Sequence, residues 1–351
     1  MTSRRDFLLQ TTAGVVAAAS VRIAHAAKAD TSQDGSTVAR AGVVDTVLGP
    51  LDASKLGFTL SHEHVCFFPR EQFSDRTVAA ARMVDKLKEA KAAGVDTIID
   101  LSPAGTGRDV PCLQDVSRRS GVHIVACTGF RFAPDSYKTQ TVEQIAEVFI
   151  REIEQGIENT GVRAGVIKAA AVAAAVTPAE EKGFRAAARA SKATGVPIET
   201  HTNAGNRGGE TQAAILEAEG ASPARVSLGH SDDTKDVNYL IGLAKRGYTI
   251  GIDHVFYGAT KPAKGEPDYV TNLRQIPWQK RAGYVKQLID AGFGDKILLS
   301  NDWELERETI NPDGFLFNTR KTIPYLKQLG VSQRDIHAIT VDNPKRFFAR
   351  S

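Results

Sequence analysis

Eight histidines are spread along this 351-residue chain, and five of them sit in or just past short apolar runs: His62, His64, His201, His230 and His254. Imidazole nitrogens bind borderline divalent metals such as zinc, and they carry protons near neutral pH. Two of the five lie in "SHEHVCFF" (61–68), among Phe58, Leu60, Val65, Phe67 and Phe68. In an extended strand residues i and i+2 point to one face, so His62 and His64 aim at one point in space. Other apolar runs carry a polar residue at the same end. Lys168 lies in "AGVIKAAA", His201 in "PIETHT", His230 in "VSLGHS", Asp253 and His254 in "TIGIDHV", and Asp302 in "ILLSND". A single histidine on an apolar face is usually a hydrogen-bonded core residue. Five that converge on one mouth make a metal site.

Lys168 is the unusual member, because an unpaired ammonium in an apolar run is costly. Two readings stand. One is a buried ion pair with Glu199 or Asp302. The other is a carbamate formed with CO₂, an anion that two divalent metals would stabilise.

These residues need a frame that brings strand ends together. Strand patterns cover 58–65, 97–102, 123–128, 164–171, 197–202, 226–231, 249–255 and 297–302. Helix patterns lie between them, at 76–93, 142–158, 178–194, 209–219, 236–246 and 278–291. Gly94, Gly195, Gly220 and Gly247 fall just after helix patterns, where a terminating residue takes positive φ. Eight strand–helix units predict a parallel sheet closing into a (β/α)₈ barrel, with functional groups at the strands' C-terminal ends. A doubly wound open sheet would want a Gly-rich phosphate turn after its first strand, and "SHEHVCFF" is nothing like one.

The composition suits one large soluble domain, with 42% hydrophobic and 24% charged residues. The net charge is +3, and no basic run or basic–aromatic stripe points to nucleic acid. None of the three cysteines sits in a CxxC pair, and Cys66 and Cys127 read as small core residues. The N-terminus reads as an address. "SRRDFL" (3–8), an alanine-rich apolar run and Ala24-His25-Ala26 resemble a twin-arginine export signal over residues 1–26. Arg4, Arg5 and Arg22 against Asp6 give that segment +2, which leaves +1 for the remainder. Its apolar run is too short for a stable membrane span. Residues 27–40 are small and polar and read as a flexible linker, with the barrel over 41–351.

The ordered set of a His-x-His on the first strand, a lysine on the fourth, histidines on the fifth and sixth and an aspartate on the eighth resembles the metal site of the amidohydrolase superfamily. The stretches "GFTLSHEH", "GIENTGVRAGVIK", "AARASKATGVPIETHT", "LGHSDDTKD", "GIDH" and "SNDW" are similar to the bacterial phosphotriesterases within it. That resemblance implies a (β/α)₈ barrel with a short N-terminal strand extension and two divalent metals, usually Zn²⁺. His62, His64 and Asp302 match ligands of the buried metal, and His201 and His230 those of the exposed one. Lys168 matches the carboxylated lysine (N6-carboxylysine) bridging both. It implies cleavage of phosphotriesters by a hydroxide shared between the metals, with Asp302, His254 and Asp233 relaying a proton outward. Asp233 has a second reading as cap of the helix near 236. The expected partner is a small ester substrate, with no nucleic acid and no stable membrane insertion. The expected location is the periplasm, and the expected assembly a homodimer.

The substrate side departs from the family. Expected pocket residues are Phe67, Arg131, Phe132, Tyr257 and Trp303. Arg131 in "TGFRF" replaces a tryptophan of the well-known members, Phe67 a small residue, and Tyr257 a second histidine. The segment between Trp303 and "NPDG" is short. Related lactonases reuse the same metals but carry arginine after the aspartate of the seventh strand, so His254 favours the phosphotriesterases. A lactonase or carboxylic-ester hydrolase is the alternative, and a non-catalytic metal-binding protein the third reading. Arg131 either folds outward to pair with Glu143 or Asp135, or faces the pocket and grips an anionic oxygen.

Overall fold

The chain's first described element is a hairpin of two antiparallel strands, β1 (Val43–Thr46) and β2 (Gly49–Asp52). A computed structural model describes residues 42–67, 75–260 and 274–350. The export-signal and linker segments therefore lie outside the described residues. Residues from Arg40 onward form one compact unit.

Eight parallel strands follow in chain order. They are β3 (Phe58–Glu63), β4 (Val95–Asp100), β5 (His123–Gly129), β6 (Val166–Ala170), β7 (Ile198–His201), β8 (Val226–Leu228), β9 (Thr249–Ile252) and β10 (Ile297–Leu299). Each pairs with its sequence neighbour. The ring is joined where β10 returns to β3. Ser300 Oγ accepts from the His62 amide at 2.8 Å, and the Asp302 amide donates to the His62 carbonyl at 2.9 Å. The result is the (β/α)₈ barrel expected from the alternating patterns.

The helices α1 (Arg76–Ala92), α2 (Val110–Ser120), α3 (Val142–Glu154), α4 (Pro178–Thr194), α5 (Gly208–Ala218), α6 (Val237–Lys245) and α7 (Trp278–Asp290) surround it. Their ends follow local chemistry. Thr177 and Glu180 form a capping box before α4, Pro178 occupies its first turn, and Gly195 ends it at φ 73°. Period-two alternation divides the strand residues. Ile98 and Ile124 pack toward the helices, while Ile99, Val125, Cys127 and Leu298 fill the barrel interior.

Two expectations need correcting. Cys66 is not a free core thiol, for it is disulfide-bonded to Cys112 on α2, with Cα atoms 6.3 Å apart. A sequence separation of 46 hid the pairing, which the segment after β3 and the first turn of α2 create by meeting in space. Cys127 remains a buried free thiol. The regular ladder also stops short of several expected strand ends, at Leu228, Ile252 and Leu299. The residues beyond carry the chemistry. His230 (φ 57°) and Asp302 (φ 49°) adopt left-handed backbone there, a strained conformation for non-glycine residues.

Candidate metal centre

All five histidines, Lys168 and Asp302 gather at the C-terminal mouth of the barrel. Lys168 comes from within β6, His62 from β3, and His64 from just past it. His62 Nε2, His64 Nε2 and an Asp302 oxygen form a buried group spaced to hold a cation. Asp302 Oδ1 is 3.1 Å from His64 Nε2 and 3.8 Å from His62 Nε2. A second convergence lies beside it, with His201 Nδ1 2.7 Å from His230 Nε2.

The surrounding carboxylates fix which ring nitrogens point inward. His230 Nδ1 and its own backbone amide both donate to Asp253 Oδ1 at 2.8 Å. Asp253 Oδ2 also lies 3.1 Å from His62 Nδ1, with Glu199 Oε1 at 3.4 Å. With the His230 Nδ1 hydrogen on Asp253 and His62 Nδ1 turned toward the same carboxylate, the Nε2 lone pairs of both rings face the centre. Burial keeps the rings neutral. It pushes His62 and His201 far below the usual range, His230 also below it, and His64 down to about 4. Neutral imidazoles with inward lone pairs are ligands in need of a cation.

Lys168 is buried, and its Nζ lies 2.6 Å from His62 Nε2. Among the described residues no carboxylate comes within ion-pair distance of it, so neither Glu199 nor Asp302 pairs with it. Burial pushes its ammonium down to about 8. Burial thus disfavours the charged form, and the neutral amine is the form able to take up CO₂. The donor set fits a divalent cation: His62, His64 and Asp302 converge, with the His201–His230 pair and the Lys168 amine beside them.

Behind Asp302 runs a chain of hydrogen bonds. Asp302 Oδ2 is 2.9 Å from His254 Nε2, and His254 Nδ1 is 2.9 Å from Asp233 Oδ2. Asp233 Oδ1 accepts from buried Arg281 Nη1 at 2.5 Å. Against the opposing effect of burial, the Asp233 and Asp302 carboxylates lift His254 to about 10. Burial likewise opposes the Asp233 carboxylate, but His254 and Arg281 hold it below its ordinary range. The helix-cap reading of Asp233 does not hold, because Asp236 caps α6 by accepting from the Asn238 and Tyr239 amides. Both His254 nitrogens are engaged by carboxylates, which suits a proton carrier better than a ligand.

Two positioning residues were missed in the sequence. Glu63, between the two histidines, accepts from Ser300 Oγ, the Asn301 amide and side chain, and the Trp303 amide, at 2.7–3.0 Å. It ties the segment after β10 that carries Asp302 to the strand carrying His62. Asp253 is the second: it accepts both hydrogen bonds of His230 and places its other oxygen 3.1 Å from His62 Nδ1. A buried carboxylate beside each ligand pair was the available signal.

The cavity over this centre measures about 390 Å³ and is lined by Arg131, His201, His254, Tyr257 and Asp302, among others. The remaining expected pocket residues lie elsewhere. Trp303 is buried against Phe315 and does not line the cavity, because the left-handed turn at Asp302 is followed by a chain path into the core. Phe132 is 63% exposed and borders a separate apolar recess. Phe67 is half-buried, with its ring 5.8 Å from that of His64.

Comparison with known proteins places this geometry. A model of the phosphotriesterase family matches residues 42–348. A phosphotriesterase homology protein of Mycobacterium tuberculosis is 34% identical, over 88% of this chain and 98% of its own length. An aryldialkylphosphatase of Saccharolobus solfataricus is 33% identical, over 85% of this chain and 97% of its own. An N-acetyltaurine hydrolase of Salmo salar is 26% identical, over 88% and 98%.

Proposed function

Because the chain belongs to the phosphotriesterase family of metal-dependent hydrolases, we propose that it cleaves phosphotriesters with two divalent ions, most readily zinc, bridged by a carboxylated Lys168. The observation that carries this is Lys168 itself. It is a buried amine with no carboxylate partner among the described residues, set against the inward nitrogen of His62. Its Nζ adds to the carbon of CO₂ and sheds a proton, which replaces a costly buried cation with an anion. His62, His64 and Asp302 would hold the buried ion, His201 and His230 the exposed one.

When bound, such ions polarise the scissile P=O or C=O and make water acidic enough to attack near neutral pH. The protein's own groups do the rest. Asp302 presents Oδ1 to the ligand cluster and Oδ2 to His254 Nε2. The relay runs from the neutral ring, with its hydrogen on Nδ1: bare Nε2 takes the proton that reaches Asp302, and Nδ1 then releases its own to Asp233 Oδ2. Arg281 keeps Asp233 in place as the outermost acceptor.

A second reading, hydrolysis of lactones or carboxylic esters by the same site, is favoured by the cavity wall. Tyr257 is the one phenyl-type side chain among its described lining residues, so those residues offer little of the aromatic cradle suited to aryl triesters. Metal-loaded protein assayed on a diethyl aryl phosphate and an acyl lactone distinguishes the two. Triester turnover that chelation abolishes supports the first reading. Turnover of the lactone alone supports the second, and turnover of neither refutes both.

We also propose a periplasmic location for this enzyme. The twin-arginine pattern at residues 3–8 and the Cys66–Cys112 disulfide both suit an oxidising compartment. Among the described residues no helix is long and apolar enough to cross a membrane.

A further inference from the structure

Arg131 follows β5 and enters the cavity beside the metal-ligand residues. The two outward partners open to it are already engaged. Asp135 binds Lys138 at 2.5 Å, and Glu143 pairs with Arg189. Among the described residues Arg131 has no ion pair, and its Nε is buried without a hydrogen-bond acceptor. What holds the guanidinium is aromatic: its carbon lies 6.0 Å from the Phe67 ring centre and 5.4 Å from that of Phe132. Ring faces attract a cation but satisfy none of its five N–H donors. The fork is therefore oriented and left with open donors.

The other charges of the cavity do not fill that need. Asp302 and Asp233 are both committed to His254. Arg307 also lines the cavity, but Glu304 accepts from its Nε at 2.9 Å, and it stacks on Tyr257. Lys235 lines the wall from an exposed position. Among the described lining residues Arg131 is thus the cation whose guanidinium has a buried nitrogen and no acceptor, whereas Lys235 is left to solvent. A neutral triester would bury it further with nothing to accept its hydrogens, which is unfavourable. An anionic oxygen would satisfy the fork with short charge-assisted bonds.

We infer that Arg131 is a specificity residue that binds an anionic oxygen of the substrate, so that this site prefers esters carrying a negative charge near the scissile bond. Phosphodiesters and carboxylate-bearing esters share that chemistry. The inference rests on the hydrolase reading of the same site.

The test uses matched pairs that share one leaving group. Ethyl 4-nitrophenyl phosphate is compared with diethyl 4-nitrophenyl phosphate, and the 4-nitrophenyl monoester of succinic acid with 4-nitrophenyl butyrate. The readout is the ratio of kcat/KM for the anionic member over the neutral one. That ratio does not depend on the fraction of active protein, so partial misfolding of a variant cancels. In Arg131→Gln the ratio should fall about ten- to a hundred-fold, the usual worth of hydrogen bonds to a charged group. Arg131→Lys keeps the charge without the fork and should fall between. The pair whose ratio responds shows whether the anion is a phosphate or a carboxylate oxygen. Calorimetric titration of metal-loaded protein with diethyl phosphate gives a readout independent of turnover, and its Kd should weaken about tenfold or more in Arg131→Gln. Ratios and Kd that move by less than about threefold overturn the inference. Loss of diethyl phosphate binding in Arg131→Gln, in a wild type that hydrolyses none of the four esters, would sustain the anion site while refuting the hydrolase reading.

Discussion

Gly129 ends β5 at φ 103° and lies in register with Lys168 on β6. A Cβ at this position would stand 1.9 Å from the Lys168 carbonyl oxygen and 2.8 Å from its carbonyl carbon. Those atoms are backbone and cannot swing aside. To reach even a 3.0 Å contact, β6 must move by about 1.1 Å, the difference between those distances. It would carry Lys168 and the Phe130–Lys168 hydrogen bond with it. In Gly129→Ala the strained φ costs about 1–3 kcal/mol, and the clash about 1–3 kcal/mol more. At about 2.1 cal/mol/K of unfolding entropy per residue, a unit of some 310 residues loses roughly 3–9 °C of Tm for a total of about 2–6 kcal/mol. Gly94→Ala supplies the comparison. Its φ of 96° is similar, but a Cβ there meets nothing within 4 Å, so it bears strain alone. Thermal melts of both variants, with metal content and kcat, make the assay. Gly129→Ala should melt below Gly94→Ala and lose metal or at least tenfold in kcat, because a displacement of about 1 Å at a catalytic group costs about a hundredfold. Equal melting temperatures, or full turnover in Gly129→Ala, would refute the claim that this glycine sets the place of Lys168.

Other outcomes follow from the hydrogen bonds around the site. His254→Asn should retain the metal content and lower turnover, most clearly on substrates with good leaving groups, and a missing ion by mass spectrometry would make His254 a ligand instead. Asp253→Asn sets an amide hydrogen against His62 Nδ1 and should weaken metal affinity about 10- to 100-fold, read by competition with a chelator. Asp236→Ala removes the cap of α6 and should cost about 1 kcal/mol without changing kcat, whereas a fall in kcat would tie that cap to the active site.

Much of this site is legible in the sequence because a barrel concentrates function at strand ends. His62 and His64 two residues apart, and Lys168, His201, His230 and Asp302 at the ends of apolar runs, stand out against the interior they interrupt. The relay partner Asp233 is harder to read. In "SDDTKD" any aspartate could cap the coming helix, and only the fold assigns that part to Asp236. Glu63 alternates away from the histidine face, so its periodicity says nothing of the four hydrogen bonds it collects from the β10 loop. The Cys66–Cys112 pair joins positions that no spacing rule connects. Trp303 was misread because its place after Asp302 suggests a pocket wall, whereas the left-handed residue before it ends the strand and the indole enters the core.

The most direct test of the binuclear site is a count of metals and carbamates on the same protein. Metal-loaded enzyme exposed to ¹³C-bicarbonate is assayed by mass spectrometry for ions per chain and by ¹³C NMR for a lysine carbamate, alongside Lys168→Ala. Two ions per chain and one carbamate resonance are expected, the resonance vanishing in Lys168→Ala together with most activity, and small added carboxylates restoring part of that activity. An active protein holding one ion per chain, with Lys168 unmodified, would contradict the proposed centre.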